Sequence, residues 1–236
     1  MGKKEKQRYV DNNEDDGISP SSYEFWEDFY ETGEGSGESY EWYIEYKDLK
    51  SSLDKLIKNH DKLLHIGCGN SLLAEELLED SDNSKHNLYI MNIDVCQNAI
   101  DRMQHRTETQ ISNQRIKTSL DYQYLDATST NYPPCSYQGV IDKGTCDALL
   151  STLDIEIGEN QMVKKLLEEM YRILVPGGFF LCVSRNICLE QYFYSSDDDQ
   201  IEWQLERSEL ITNPTNTKKG KGINQVNYIY LAFKKN

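Results

Sequence analysis

Four short apolar runs in this chain each stop at a glycine turn or an aspartate, and the stretches between them carry helical periodicity. Lys62-Leu63-Leu64-His65-Ile66 reads as a buried strand ended by Gly67-Cys68-Gly69. Leu88 to Ile93 ends at Asp94, a run near Tyr122 to Leu125 ends at Asp126, and Gln138 to Ile141 ends at Asp142. After the first run, Asn70 or Ser71 is placed to cap a helix with Leu72, Leu73, Ala74, Leu77 and Leu78 on one face. A helix from about Gln97 to Arg106 would bury Ile100 and Met103. Another, from about Asn160 to Leu174, is stopped by Pro176-Gly177-Gly178, and Phe179 to Val183 forms a fifth strand. Alternating strand and helix predicts a parallel sheet covered by helices. The carboxyl third breaks the pattern. Its two β-rich runs, near Ile201 to Ile211 and Gln225 to Phe233, predict an antiparallel hairpin with a long connection from Asn213 to Gly222.

The predicted class is therefore α/β: a Rossmann-like, seven-stranded, mostly parallel sheet with a C-terminal antiparallel hairpin and helices on both faces. In such sheets ligands sit beyond the carboxyl ends of the strands, near the point where strand order reverses. Here those ends carry Gly67 to Asn70, Asp94, Asp126 and Asp142. Gly67 and Gly69 let backbone approach a ligand without a Cβ in the way. Asp94, 27 residues after Gly67, falls near the interval at which a carboxylate reaches ribose hydroxyls. Asp126 is placed to accept from an adenine amino group. Two adenosine cofactors suit this order. A nicotinamide dinucleotide needs a third glycine for close packing at its pyrophosphate, and that position is Leu72. S-adenosylmethionine has no phosphate and is satisfied by the shorter turn. The hairpin also suits methyltransferases better than dehydrogenases, so S-adenosylmethionine is the expected cofactor.

Composition narrows the partners. The 236 residues carry a formal charge of −15, which disfavours nonspecific binding to nucleic acid and favours basic partners. No uninterrupted apolar run approaches the ~18 residues of a membrane-spanning helix, so no membrane partner is expected. Six scattered cysteines without C-x-x-C, and four histidines without zinc spacing, predict reduced thiols, no metal and a cytoplasmic location. Residues 1–20 are expected to form a solvated, disordered tail. The domain is then 21–236, with a helical flap over 21–58 and the sheet core over 59–236.

Leu63 to Ser71, Asn92-Ile93-Asp94, Ile141 to Leu149 and Leu174 to Val183 together resemble the seven-β-strand methyltransferases. The G-C-G-N-S and D-K-G-T-x-D-A-L elements are similar to the group that methylates lysines of eukaryotic elongation factor 1A. Phe25-Trp26-Glu27-Asp28-Phe29-Tyr30 and Tyr40-Glu41-Trp42-Tyr43 resemble that group's amino-terminal aromatic elements, so the likeness runs from about residue 23 to the end. The resemblance implies that Trp26, Tyr30 and Trp42 close over the methionine moiety and that Gly67 and Gly69 line its backbone. It implies that Asp94 with Val95 holds the ribose, that Asp126 with Ala127 contacts the adenine, and that Lys143 completes the floor. It names no catalytic residue. His65 replaces a commoner acid, Cys146 a commoner leucine, and Ser184-Arg185-Asn186 a serine followed by apolar residues.

The expected function is S-adenosylmethionine-dependent protein-lysine methylation, with elongation factor 1A as the basic protein substrate. The alternatives are a small-molecule or protein N-terminal methyltransferase, or a silent cofactor-binding scaffold. A lysine must lose its proton before it attacks, so the acceptor chamber should be aromatic or polar-neutral. Asp147 is the nearest acid outside the cofactor set, and a structural role is expected of it. Eight acids from Glu24 to Glu45, without Lys or Arg, would draw in lysine-rich surfaces if the flap covers the cofactor mouth.

Overall fold

The computed structural model describes residues 19–80, 87–151, 160–194, 201–212 and 225–235. The expected tail and the Asn213 to Gly222 connection lie essentially outside these. The sheet core runs β1 (Lys62–Ile66), α3 (Leu73–Asp80), β2 (Tyr89–Asp94), α4 (Gln97–Thr109), α5 (Gln114–Lys117), β3 (Leu120–Tyr124) and β4 (Tyr137–Lys143). It continues with α6 (Thr145–Leu150), α7 (Gln161–Ile173), β5 (Leu174–Ser184), α8 (Glu190–Phe193), β6 (Trp203–Thr212) and β7 (Gln225–Lys234). Two helices precede it, α1 (Tyr23–Glu31) and α2 (Tyr46–Leu56).

The seven strands form one sheet in the order β3-β2-β1-β4-β5-β7-β6. The first five are parallel, and β7 pairs antiparallel with both β5 and β6. The expected hairpin is present, and its second strand lies inside the sheet, with Ala232 between Phe180 of β5 and Leu205 of β6. Strand order reverses between β1 and β4, which fixes the ligand crevice beyond their carboxyl ends.

Central β1 is covered on both faces, which is why its buried residues are mostly apolar, with Leu63, Leu64 and Ile66 around His65. Its side chains alternate between two cores. Leu63 packs with Leu49, Leu53, Leu78, Ile100 and Met103 on one face. Leu64 and Ile66 pack with Val163, Leu166, Met170 and Phe180 on the other. Edge strand β3 alternates buried and exposed residues, as a half-covered strand must. Asn160 caps α7, accepting the Met162 and Val163 N–H groups at 3.0 and 3.2 Å.

The Pro176-Gly177-Gly178 stop is not a loop between helix and strand. β5 begins at Leu174, directly after α7, and the segment lies within it as an irregularity where the register against β4 shifts. Gly177, at φ +72°, allows that bulge.

Candidate active site

Gly67 and Gly69 both hold a left-handed backbone, φ +53° and +49°. A Cβ on Gly67 would collide with the Thr145 hydroxyl, and one on Gly69 with the Tyr30 hydroxyl. Bare backbone thus reaches the carboxyl end of β1 where other residues would fill the space.

Asp94, the last residue of β2, is buried and accepts the Gly69 N–H at 2.7 Å and the Cys96 N–H at 2.9 Å. Burial raises its carboxyl to about 6 against the pull of these backbone donors. With Val95 as a third backbone donor, the carboxylate keeps acceptor capacity for a further donor. Val95 follows, half-buried. Beyond β3, Asp126 accepts the Thr128 N–H at 2.8 Å, and Ala127 is buried beside it. Tyr23 lies near Asp126, and burial together with that carboxylate raises its phenol. Asp142 differs from the other strand-end acids. It is fully buried and caps α6 through the Thr145 and Cys146 N–H groups, while also accepting from the Cys182 thiol. The Asp142, Cys146 and Cys182 donor atoms lie within 4.8 Å of one another, and the hydrogen bonding of the carboxylate explains their company.

The segment that holds α1 and α2 packs as a strap over these strand ends. Glu27 of α1 accepts the Gln97 N–H at 3.2 Å and an Asn98 amide N–H at 2.9 Å, at the start of α4. Tyr30 is buried beside Gly69, and burial plus Asp94 holds its phenol well above the usual value. Trp26 stacks on Tyr30 with centroids 6.1 Å apart, and Trp42 meets Trp26 edge-on at 6.0 Å. The three aromatics expected around the methionine moiety are therefore one cluster at the glycine turn. α4 clamps the strap from behind. Arg102 donates to the carbonyls of Tyr30, Gly35 and Gly37 at 2.7–2.8 Å. Arg106, one turn on, donates to the Glu38 carbonyl at 2.8 Å and pairs with buried Glu75 at 2.9 Å. Asn70 adds its amide N–H groups to the Gly35 and Gly37 carbonyls.

Lys143 is buried at the end of β4 with its ammonium on Glu41, and it also donates to the Ile44 carbonyl at 3.4 Å. Glu41, counted by sequence among the acids facing a partner, turns inward. His65 is a core residue, bonded to Asn92 at 3.1 Å; burial and the Lys143 charge lower its imidazole to about 4. Asp147 accepts from the Tyr43 hydroxyl and the Arg185 N–H, both at 2.8 Å, and from the Ser184 hydroxyl. Sequence reasoning passed over Arg102, Arg106 and Glu41. The i, i+4 arginine pair on a helix beside a glycine-rich segment was the available signal.

Residues 64–182 match the family described as "Methyltransferase domain". The chain belongs to this family. Its cofactor is S-adenosylmethionine. The chain is 40% identical over 162 residues to the eEF1A lysine and N-terminal methyltransferase of Xenopus laevis, and 35% identical over 163 residues to the human protein of that name. The matches cover 68% and 69% of this chain and 21% of each relative, so the chain spans about a fifth of their length. Mouse EEF1A lysine methyltransferase 4 is 27% identical over 165 residues, 68% of this chain and 60% of that protein. Among solved structures, a SAM-dependent methyltransferase from Methanosarcina mazei superposes with a TM-score of 0.54 at 14% identity, covering 78% of this chain and 97% of its own. The [4+2]-cyclase SpnF superposes at 0.59 and 12% identity, covering 92% and 97%. Likeness at that identity shows the fold alone.

The residues present suit this cofactor. The glycine turn offers the cradle that a Cβ would fill, and Asp94 offers acceptor capacity for a diol. Asn70 Oδ1, buried beside the turn, has no hydrogen-bond partner among the described residues. It is an acceptor suited to a donor such as an α-ammonium.

Proposed function

We propose that this methyltransferase domain transfers a methyl group from S-adenosylmethionine to lysine of elongation factor 1A. The observation that carries the reading is that Asp147, the acid beside the acceptor's way in, has its carboxylate oxygens taken up by hydrogen bonds within the chain. With the glycine turn and Asp94 on the β1–β2 side, the methyl acceptor approaches past β4 and β5, where Tyr43, Asp147, Ser184 and Arg185 meet. The Asp147 carboxylate there is taken up by two hydroxyls and a backbone N–H, and burial raises its carboxyl. It therefore does not offer a free carboxylate that would hold an ammonium in its charged form. Shedding a proton from a free lysine costs about 4.6 kcal/mol at pH 7, a cost that desolvation against aromatic faces reduces.

When bound, the cofactor supplies an electrophilic methyl group on a cationic sulfur. Gly67 and Gly69 would present backbone to its methionine end, Asp94 with Val95 would hold the ribose, and Asp126 with Ala127 the adenine. Trp26, Tyr30 and Trp42 would exclude water and attract the sulfonium, with cation–π gains of roughly 0.5–2 kcal/mol. Lys143 would shape the floor from behind. Glu24, Glu31, Glu34 and Glu38 are exposed on the strap and suit a basic protein surface. The relatives' printed names supply the elongation factor and fit a cytoplasmic setting. Residues 21–236 would be the catalytic unit, with 21–58 as the strap. No helix among the described residues is long and apolar enough to cross a membrane.

The names of the Xenopus and human relatives also include N-terminal methylation, so an α-amine is the second reading. An α-amine titrates near 7.7–8.0 and costs far less to deprotonate. The test is methyl transfer from labelled cofactor to purified elongation factor 1A, mapped by mass spectrometry. Label on a lysine supports the proposal, label on the amino terminus moves it to the second reading, and no incorporation overturns both.

A further inference from the structure

We infer that Glu41 is a positioning residue for the cofactor pocket, acting through Trp42, and that Lys143 serves that pocket as the counter-ion of Glu41. The inference rests on family membership and its cofactor, and not on the identity of the acceptor. Glu41 Oε1 accepts the Leu72 N–H at 2.6 Å and the Ser71 hydroxyl at 3.0 Å. Oε2 lies 2.8 Å from the same hydroxyl and accepts from the Lys143 ammonium. One carboxylate thus ties together the strap, the start of α3 beside the glycine turn, and the end of β4. The ammonium and the Leu72 N–H entering α3, which the helix itself does not engage, form a positive socket, and a carboxylate is the side chain that answers both.

The next two residues show what the tie holds. Trp42 contacts Trp26, Phe29, Tyr40 and Tyr43, with ring centroids 5.1–6.0 Å away. Tyr43 holds φ +64°, a left-handed backbone that a bulky residue takes only when both sides are fixed. The Asp147 bond to its hydroxyl fixes one side and the Glu41 tie fixes the other. Between these anchors Trp42 has one place to be.

The charge matters as much as the shape. Lys143 is 3% exposed, and burial pulls it toward its neutral form while Glu41, then Glu76 and Glu45, oppose that pull. His65, the other titratable group beside it, is neutral and brings no counter-charge. A glutamine at position 41 would leave the ammonium without its partner and present an N–H group to it in one of its two orientations. The strap would then swing away or admit water, and Trp42 would move with it.

The experiment measures S-adenosylmethionine and S-adenosylhomocysteine affinity by calorimetry on the full chain, for wild type, Glu41→Gln, Lys143→Met and the double variant, with urea midpoints recorded for each. Glu41→Gln is expected to weaken both ligands at least tenfold. Lys143→Met loses less, because Leu72 and Ser71 still hold Glu41. The double variant recovers part of the Glu41→Gln loss, since a neutral pair replaces an unpaired charge; a purely structural role would move affinity only in step with the urea midpoint, whereas positioning moves affinity beyond it. Wild-type affinity in Glu41→Gln, or a double-variant loss equal to the product of the single losses, overturns the inference. Should Glu41→Gln not fold, Glu41→Asp takes its place: its shorter reach is expected to cost tenfold in affinity at a near-native urea midpoint, and undiminished affinity overturns the inference. Ligand binding here is independent of the acceptor, so a chain that binds the cofactor yet methylates no lysine would sink the proposed substrate and leave this inference standing.

Discussion

The Asp94 carboxylate accepts the Gly69 N–H across 2.7 Å, so the acid at the end of β2 and the glycine turn after β1 form one rigid corner of the crevice. Asp94→Asn keeps the shape but places an amide N–H against either the Gly69 or the Cys96 donor, which both point at this side chain. Cofactor affinity should fall at least tenfold. Undiminished affinity by calorimetry would reject the assignment of Asp94 to the ribose.

The same carboxyl predicts a pH dependence. In the free protein it titrates near 6, and ribose hydroxyls donate to its ionised form. Binding therefore favours deprotonation. Affinity should level off above pH 6 and fall toward tenfold per unit as pH drops through it, while Asp94→Asn should be flat over that range. A wild-type profile equally flat between pH 5 and 7 would show that Asp94 does not carry the ribose contact.

The two glycines should fail differently when replaced by alanine. Both would pay about 1–2 kcal/mol for a left-handed backbone. At Gly67 the new methyl meets Thr145, a stiff β-branched side chain whose hydroxyl lies 3.2 Å from the Ile66 carbonyl, so stability should suffer most. At Gly69 it meets the far end of Tyr30, which can swing aside and take part of the aromatic cluster with it. Gly69→Ala should thus lose cofactor affinity out of proportion to its loss of stability. Urea midpoints and calorimetry on the pair would show it, and equal patterns would contradict it.

Much of this was written in the residue order, for reasons the packing makes plain. Central strands covered on both faces are mostly apolar, so β1, β2 and β4 stand out in the sequence. Strand-end residues face the crevice by geometry, which is why sequence order alone points to Gly67, Asp94 and Asp126 as candidates. The parts that escaped depend on pairs distant in the chain. Glu41 looked like one more surface acid because its partners, Leu72 and Lys143, are supplied by other elements. Asp142 looked like a ligand residue because a capping carboxylate and a binding carboxylate occupy the same position in sequence. The helix stops where the Pro-Gly-Gly segment predicts, but β5 begins five residues before Phe179, because a β-bulge and a loop ask for the same residues.

Arg106 and Glu75 offer a test of the clamp behind the strap. Their side chains are 7% and 9% exposed, and Arg106 also donates to the Glu38 carbonyl. Arg106→Met leaves a buried carboxylate without its partner, which should cost about 3–5 kcal/mol of stability. Pairing it with Glu75→Gln should return a large share of that loss. Arg102→Met strands no buried charge, so its main effect should be a looser strap and weaker cofactor binding. A stability loss in Arg102→Met as large as in Arg106→Met would refute this division.

His65 should make acid stability depend on an uncharged core. Its imidazole titrates near 4 in the fold, lowered by burial and by Lys143, against about 6.5 in the unfolded chain. Between those values the unfolded state binds the extra proton, so the contribution of His65 to stability is full above pH 6.5 and is lost as pH falls toward 4. The window is worth about 3 kcal/mol. Asp94 acts in the opposite sense. Its folded carboxyl sits near 6 against an ordinary value of 3.8, so its contribution is present at low pH and is lost as pH rises through 6. The two slopes nearly cancel between pH 4 and 6, and removing one should expose the other. His65→Gln is therefore expected to gain stability relative to wild type on going from pH 7 to pH 4.5, and Asp94→Asn to lose it, read as differences in urea midpoint. In Lys143→Met the like charge beside the ring is gone, so His65 should titrate higher and its window should shrink. Parallel wild-type and His65→Gln curves across that range would mean that the imidazole takes up its proton in the folded core as readily as in the unfolded chain, and would refute the neutral-core assignment.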